Sequence, residues 1–355
     1  MQVLVLGGTG AMGSHLCRLL AARGADVVCT TRRDRVSGDG ISYVVGDAKD
    51  PSFLQGLLLK RWDAIVDFMV WSTAEFGSRC AGFLAATDQY VFTSSYRVYA
   101  DSPVIREDSP RLLDVINDSE YLATDEYALS KARCENLLFA SSSSNWTIVR
   151  PAVTYDGVNG RLQLGVFESA DWLWRAINGI PVPVPREVLS KQATMSYGGD
   201  VAIMIARLVG NPAAFGEAFT VSGSDHMPWA EVAGVFDEAL SFEVVPCDLD
   251  DFERVRGGVY QIRYDRMFNR IVDNSKVLAV IGMDEAELTP MHEGLSRELG
   301  VLLASGKEPA LAAGFQGKMD GLCGGCPSFG AVLRSGGVAA AGRYAARRIT
   351  VLHHG

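Results

Sequence analysis

Side chains in the middle of the chain have the chemistry needed to move a proton to or from an alcohol. A tyrosine and a lysine stand four residues apart in Tyr127-Ala128-Leu129-Ser130-Lys131, a spacing that places both on one face of a helix. A phenol titrates at about pH 10 in water and is a poor base at neutrality, but a neighbouring ammonium stabilises its ionised form. Upstream, Ser94-Ser95 end a strand-like stretch, and a serine hydroxyl there would hold the reacting oxygen. Together these residues predict an acid–base site.

Glycines at the start of the chain predict a second site. Val3-Leu4-Val5-Leu6 is typical of a strand buried on both faces, and the residues after the glycines continue with helical periodicity. A glycine turn between strand and helix lets backbone N–H groups approach a diphosphate, whose charge the helix N-terminus stabilises. A second strand follows at 26–30, as a βαβ unit requires. The predicted dinucleotide-binding residues of this turn are Gly7, Gly10, Ala11, Met12 and Gly13.

The residues that end the second strand indicate which dinucleotide is bound. A carboxylate here bonds the adenosine ribose hydroxyls and repels a 2′-phosphate, but the chain has Thr30-Thr31-Arg32-Arg33. Because arginine forks suit phosphate oxygens, Thr31 and Arg32 favour NADP(H) over NAD(H); the alternative is that both arginines are simply solvated. Asp47, after a third strand at 42–45, either accepts a bond from the adenine amino group or caps the following helix.

Further strands at 63–70 and 89–95, alternating with helices, predict an α/β fold with a doubly wound parallel (Rossmann) sheet. Ligands bind such sheets at the carboxyl ends of the strands, where the serine pair lies. Hydride transfer to or from a nicotinamide therefore accompanies proton transfer by Tyr127, and we predict an enzyme.

The composition excludes several classes of function. With 355 residues, 48% of them hydrophobic, the chain exceeds one average globular domain. A net charge of −9 argues against a nucleic-acid partner that depends on phosphate neutralisation. No apolar run is long enough to cross a membrane and no basic leader precedes the first strand, so we expect a cytoplasmic protein without a membrane partner. His226 and His292 have no companions at ligand spacing, and no metal site is predicted.

The motifs resemble those of the NAD-dependent epimerase/dehydratase family, which are extended short-chain dehydrogenases/reductases. The matching segments run from residue 1 to about 300 in family order, and are 7–13, 92–99, Glu107, Tyr127 with Lys131, 149–151, 179–183, 200–202, 219–223 and 273–276. The resemblance implies that Ser95 is the catalytic hydroxyl, Tyr127 the base, and Lys131 a residue that also holds the nicotinamide ribose. It also implies a small-molecule substrate, mostly a nucleotide-activated sugar in this family, and a homodimer.

The same resemblance implies the domain organisation. Residues 1–154 form the NAD(P)-binding Rossmann domain, to which 196–222 return, and 155–306 form a smaller C-terminal substrate-binding lobe. The last segment, 307–355, is basic and rich in glycine and alanine, and we expect a poorly ordered tail outside the family fold.

Several positions depart from the family pattern. Tyr96-Arg97 stand where sugar 4,6-dehydratases carry Asp-Glu, so elimination of water lacks its acid. Asp67, Met69 and Val70 replace the usual histidine and small residues after the fourth strand and crowd the path of the cofactor. Arg263 is close to the place of an arginine that binds the nucleotide diphosphate, although a structural ion pair fits its context equally. The predicted substrate-binding residues are Ser95, Tyr96 and Arg263.

The sequence thus predicts an NADP- or NAD-dependent epimerase or ketoreductase acting on a secondary alcohol or ketone of a nucleotide sugar. Arg32-Arg33 favours the reductase, and the family favours the epimerase. The alternative is a protein of the same fold that does no chemistry and binds RNA or a protein, because an arginine that often precedes Asp200 in sugar-nucleotide enzymes is absent.

Overall fold

The computed structural model describes the backbone of residues 1–352 and the side chains of residues 1–348, and it contains a central seven-stranded sheet. The strands of this sheet are β1 (Gln2–Leu6), β2 (Asp26–Thr31), β3 (Ile41–Val45), β4 (Trp62–Asp67), β5 (Thr87–Thr93), β6 (Trp146–Pro151) and β7 (Glu217–Val221). Six shorter strands are Val153–Tyr155, Val182–Pro185, Gln192–Ala193, Met195–Tyr197, Met227–Pro228 and Val244–Cys247.

Seventeen α-helices occur in the described residues. They are α1 (Gly13–Ala22), α2 (Pro51–Leu58), α3 (Thr73–Gly77), α4 (Cys80–Ala85), α5 (Leu112–Val115), α6 (Ser119–Leu122), α7 (Tyr127–Phe139), α8 (Ser169–Ile177), α9 (Arg186–Leu189), α10 (Gly198–Leu208), α11 (Trp229–Leu240), α12 (Leu249–Arg256), α13 (Val259–Gln261), α14 (Ser275–Ile281), α15 (Met291–Ala304), α16 (Ala313–Leu322) and α17 (Phe329–Leu352). Short 3₁₀ helices cover Tyr96–Val98, Pro212–Ala214 and Glu285–Glu287, and a π-helix covers Ile262–Arg266. None of the helices in this part of the chain has the length and apolar content of a bilayer span.

The chain divides into two compact units. The first contains residues 1–154, 194–225 and 271–291, and the second contains 155–193, 226–270 and the residues from 292 onward. The first segment of this unit thus ends at Thr154, and its second segment, 194–225, lies close to the returning segment predicted at 196–222. It also includes 271–291, which the sequence analysis assigned to the lobe.

The sheet of the first unit has the strand order β7-β6-β5-β4-β1-β2-β3, and all its strands are parallel. This confirms the predicted doubly wound parallel sheet. Strand β1 is apolar from Val3 to Leu6 and is covered on both faces: Val3 and Val5 pack in the same core as α1, and Leu4 and Leu6 pack in the core that contains Phe76 of α3. The carboxyl ends of β1, β4 and β5 are consequently neighbours at one edge of the sheet.

Strand β4 ends at Asp67, three residues before the predicted end at Val70. The Asp67 carboxylate accepts a hydrogen bond from the backbone N–H of Met69 (2.8 Å), which turns the chain away from the sheet. Apolar residues after Asp67 therefore belong to a loop that leads to α3.

The segment 307–355, expected to be poorly ordered, instead contains α16 and α17, with α17 interrupted at Gly337. Glycine permits close packing here, because a Cβ on Gly317 would lie 2.3 Å from the carbonyl oxygen of Tyr344. Val332 and Tyr344 share a core with Trp174 of α8. The glycines of this segment, whose abundance suggested disorder, thus allow close contact between two helices.

A buried ion pair holds this helical hairpin within the second unit. Arg175 of α8 donates from Nη2 to Asp320 of α16 (2.9 Å), and both side chains are almost completely buried. Asp320 also accepts bonds from the hydroxyl of Tyr344 (2.6 Å) and from the backbone and hydroxyl of Ser328 (2.8 Å each). Every oxygen of the carboxylate therefore has a donor.

We predict that Arg175→Met lowers the free energy of unfolding by about 3–5 kcal/mol, because it leaves Asp320 charged and buried without its cation. The measurement is urea denaturation followed by tryptophan fluorescence. Arg254→Met is the control, since its ion pair with Asp251 is about half exposed and contributes about 0–1 kcal/mol. Equal losses in the two variants would contradict the prediction.

Candidate active site

The turn between β1 and α1 has the geometry of a dinucleotide loop. Gly7 adopts φ = +68°, a conformation that side chains disfavour, and its N–H donates to Thr30 Oγ1 at the end of β2 (2.9 Å). Gly13 begins α1 against Gly8, where a Cβ would lie 2.5 Å from the Gly8 Cα. Gly10, Ala11 and Met12 complete the turn before the helix. Because both ends of the turn are glycines, no side chain at residue 7 or 13 covers the backbone before the helix.

A cleft of about 420 Å³ opens beside this turn within the first unit. It is lined by residues from the ends of four neighbouring strands, among them Gly7, Thr31, Arg32, Asp47, Phe68 and Met69. Asp47 accepts a bond from the N–H of Lys49 (2.9 Å), whereas Asp50 is the residue that caps α2 by accepting from Phe53 N (2.8 Å). Asp47 is therefore not the helix cap, which leaves its exposed carboxylate facing the cleft. Arg32 is exposed on the same side, and the Thr31 hydroxyl bonds the backbone of Arg33.

Lys131 is held at the carboxyl edge of the sheet by two backbone carbonyls. Its Nζ donates to the carbonyl oxygens of Met69 (3.0 Å) and Thr93 (2.6 Å), and only 2% of the residue is exposed. The same Nζ lies 6.0 Å from the ring centroid of Tyr127, at the first turn of α7. The ammonium thus lies beside the phenol on one face of the helix.

The two serines that end β5 have different partners. Ser94 Oγ donates to Glu135 (2.6 Å), a completely buried residue of α7. Ser95 caps the 3₁₀ helix Tyr96–Val98, where its Oγ accepts from the N–H of Arg97 (3.2 Å). The hydroxyl of Ser94 is therefore committed to the carboxylate of Glu135, and Ser95 is left as the residue that the family pattern matches. Tyr96 is 3% exposed.

Two residues that the sequence analysis did not assign to the site lie against Tyr127. The guanidinium carbon of Arg97 is 5.2 Å from the centroid of the Tyr127 ring, and Arg97 Nη2 donates to Glu126 (2.6 Å). Glu126 also accepts from Ala128 N (2.8 Å), which caps α7. The only sequence signal was the unusual Tyr96-Arg97 pair.

Thr93 was also missed. Its Oγ1 is buried at the end of β5 and has no hydrogen-bond partner among the described residues. A buried hydroxyl without a partner is costly, and at this edge of the sheet it fits a polar ligand group.

Arg263 pairs with Glu253 in the second unit, with Nε 3.0 and 3.1 Å from its two carboxylate oxygens and Nη2 2.6 Å from one of them. Its side chain is 54% exposed. This geometry matches the structural ion pair that the sequence left open beside the diphosphate role.

A second buried carboxylate supports the loop that holds Lys131. Asp67 is completely buried and accepts bonds from Met69 N (2.8 Å), Trp71 Nε1 (2.7 Å) and the Tyr90 hydroxyl (2.6 Å). Burial raises the pKa of Asp67, although these three donors and the nearby Lys131 oppose the shift. Asp67 thus fixes Met69, and the carbonyl of Met69 in turn holds the ammonium of Lys131.

Comparison with known proteins places this geometry in a class. Residues 3–76 match the model of the NAD dependent epimerase/dehydratase family. The fold is similar to that of epimerase Mth375 from Methanothermobacter thermautotrophicus, with a TM-score of 0.67 and 17% identity over 86% of this chain and 92% of that one. It is also similar to MoeE5 in complex with UDP-glucuronic acid and NAD, with a TM-score of 0.65 and 18% identity over 86% and 100% of the two chains.

A relative with a different description matches over more of the sequence than the family model does. The chain is 25% identical over 295 residues to the chloroplast stem-loop binding protein of 41 kDa b from Arabidopsis thaliana. The aligned residues cover 78% of this chain and 73% of that protein. The family match over residues 3–76 and the shared fold confirm the predicted resemblance to the NAD-dependent epimerase/dehydratase family.

We predict that Asp67 makes stability depend on pH. Because its pKa in the folded protein is raised above the usual value of 3.8, the folded protein binds this proton more tightly than the unfolded chain does. Its contribution to stability is fully present below pH 3.8 and is lost as the pH rises through the raised pKa. The free energy of unfolding of the wild type should therefore fall relative to that of Asp67→Asn as the pH increases from 4 to 8, in urea titrations of both.

Tyr90→Phe is the control for that experiment, because it removes one donor to Asp67 and keeps the titrating carboxylate. The free energy of unfolding of this variant should still fall as the pH rises, and at least as steeply as in the wild type, because the Tyr90 hydroxyl opposes the rise of the Asp67 pKa. Parallel curves for the wild type and Asp67→Asn would refute the assignment.

Proposed function

We propose that the chain is an NAD(P)-dependent epimerase or ketoreductase that acts on a secondary alcohol or ketone of a nucleotide sugar. The observation that carries the proposal is the Lys131 ammonium, held by Met69 and Thr93 beside the ring of Tyr127. A buried cation thus lies next to a partly exposed phenol, a pair that suits proton exchange with an alcohol. The glycine turn and its cleft lie in the same unit, which supports pairing of this proton transfer with hydride transfer.

The residues of the first unit fit a nicotinamide dinucleotide. The glycine turn before α1 is where a diphosphate would meet a helix N-terminus, and Asp47 and Arg32, which line the cleft, would supply an acceptor for adenine and a cation for a 2′-phosphate. The unpartnered Thr93 Oγ1 supplies a polar contact close to Lys131. When bound, the nicotinamide ring supplies the hydride donor or acceptor.

Within this proposal each side chain of the site has one task. Ser95 holds the oxygen of the reacting alcohol or ketone, and Tyr127 takes the proton from that oxygen or returns it. Lys131 stabilises the phenolate and is kept in place by backbone carbonyls that cannot change their charge. The proton therefore moves at the hydroxyl oxygen of Tyr127.

The substrate class is proposed from the relatives. MoeE5, which shares the fold, was solved with a nucleotide sugar, and the family is named for epimerases and dehydratases. Retention of bound dinucleotide after purification, without net redox change, distinguishes the epimerase from the reductase, which depends on added NADPH. Native mass spectrometry of the purified protein measures whether dinucleotide is retained, and it also tests the predicted homodimer.

A second candidate function is RNA binding without catalysis, which the relative from Arabidopsis thaliana favours because its name states stem-loop binding. The net charge of −9 opposes it. The discriminating measurement is electrophoretic mobility of a stem-loop RNA with the wild type and with Tyr127→Phe, at two salt concentrations. RNA binding that is indifferent to this variant, with no dinucleotide binding, would favour the second candidate.

We predict that Tyr127→Phe lowers kcat by at least about 100-fold, because the variant keeps the ring and removes the group that exchanges the proton. Turnover of nucleotide sugars with NADP(H) or NAD(H) is the assay. Tyr43→Phe, on β3 and outside the cleft lining, is the matched control and should keep wild-type turnover. Unchanged turnover in Tyr127→Phe would remove Tyr127 from the mechanism.

We predict that Arg32→Ala weakens NADPH binding by about 10- to 100-fold and changes NADH binding less than about threefold, because only NADPH carries the 2′-phosphate that the guanidinium would bind. Fluorescence of the bound reduced dinucleotide measures both affinities. Arg35→Ala is the control, since Arg35 packs over the ring of Tyr43. An equal loss for both dinucleotides would show that Arg32 does not select the phosphate.

A further inference from the structure

We infer that Arg97 selects substrates whose sugar carries a carboxylate near the reacting carbon, so that the enzyme prefers a nucleotide-linked uronic acid to a neutral sugar. The inference rests on the proposed function, because it takes the Tyr127 hydroxyl as the group that touches the reacting oxygen. It adds a substrate class and a residue that recognises it.

Arg97 lies next to Tyr127 and Ser95. Its guanidinium carbon lies 5.2 Å from the centroid of the Tyr127 ring, and its backbone N–H donates to Ser95 Oγ (3.2 Å). Arg97 therefore contacts both residues that the proposal places on the reacting oxygen. A substituent one or two bonds from the reacting carbon comes within reach of its side chain.

Glu126 fixes the orientation of the Arg97 side chain. Arg97 Nη2 donates to Glu126 (2.6 Å), and Glu126 also accepts hydrogen bonds from Ala128 N (2.8 Å) and from the hydroxyl of the buried Tyr121 (3.1 Å). The side chains of Arg97 and Glu126 are only 14% and 17% exposed. The planar guanidinium is thus held before a ligand arrives, and a preorganised fork binds a carboxylate with little further loss of entropy.

Lys131 does not take this role, because its ammonium is 2% exposed and donates to two backbone carbonyls. Arg97 is the more accessible of the two cations that flank the Tyr127 ring. Glu126 pairs with Arg97, and the buried Asp67 lies near Lys131. A substrate carboxylate at Arg97 would accept a charge-assisted hydrogen bond, which is strong where the side chains are little exposed.

The test is isothermal titration of the protein saturated with NADP⁺ or NAD⁺, using UDP-glucuronic acid and UDP-glucose as probes. These two probes differ only in the carboxylate at the sugar C6. We expect the wild type to bind UDP-glucuronic acid about 10- to 100-fold more tightly. Arg97→Met should reduce this ratio to about one while the affinity for UDP-glucose changes less than about threefold, and Arg97→Lys should retain part of the preference.

Arg133→Met is the matched control, since Arg133 is a cation of α7, the helix that carries Tyr127, pairs with Asp125 and should leave the ratio unchanged. Dinucleotide binding and the melting temperature of each variant show whether it is folded, and Arg97→Gln replaces Arg97→Met if the latter does not fold. A wild type without preference, or a preference that persists in Arg97→Met and Arg97→Gln, overturns the role of Arg97 alone. Binding of neither probe rejects the nucleotide-sugar function as well.

Discussion

The candidate site depends on one completely buried carboxylate, that of Glu135. It accepts two hydrogen bonds from Arg150 of β6 (2.8 Å each), one from Arg111 (3.1 Å) and one from Ser94 at the end of β5 (2.6 Å). Because Glu135 lies on α7, these contacts fix the helix that carries Tyr127 and Lys131 against the sheet edge that carries Ser95. Removing Glu135 would leave the buried Arg150 without a carboxylate, so the geometry of the proposed acid–base residues is tied to this cluster.

Asp67 provides the complementary constraint on the other side of Lys131. Its three donors belong to β5 and to the loop after β4, so that the loop carbonyl of Met69 is presented to the ammonium. Lys131 is therefore positioned by the backbone, which is itself ordered by a carboxylate that makes no contact with substrate in the proposed mechanism. The same loop contributes Phe68, Met69 and Val70 to the cleft beside the glycine turn. The cleft beside the glycine turn and the Tyr127–Lys131 pair therefore both depend on the loop that Asp67 orders.

The sequence predicted those parts of the structure that depend on local pattern. The glycine turn, the parallel sheet and the spacing of Tyr127 and Lys131 follow from periodicity and backbone chemistry, which neighbouring residues determine. The pairs Arg97–Glu126 and Arg175–Asp320 join residues 29 and 145 positions apart, and no local pattern indicates which charges will meet. The helices of 313–352 were missed for a related reason, since glycine and alanine favour helix packing only when a partner helix is present.

The charges around Tyr127 also bear on the type of reaction. Elimination of water requires an acid that gives a proton to the leaving hydroxyl, and a carboxyl group does this only in its protonated form. Glu126, which adjoins Tyr127 in the sequence, accepts bonds from Arg97, Ala128 and Tyr121, so its carboxylate already caps α7 and holds Arg97. To act as an acid it would have to abandon the ion pair with Arg97. The arrangement therefore agrees with the proposed proton exchange at a single phenol, and it gives Glu126 no part as the acid of a dehydratase.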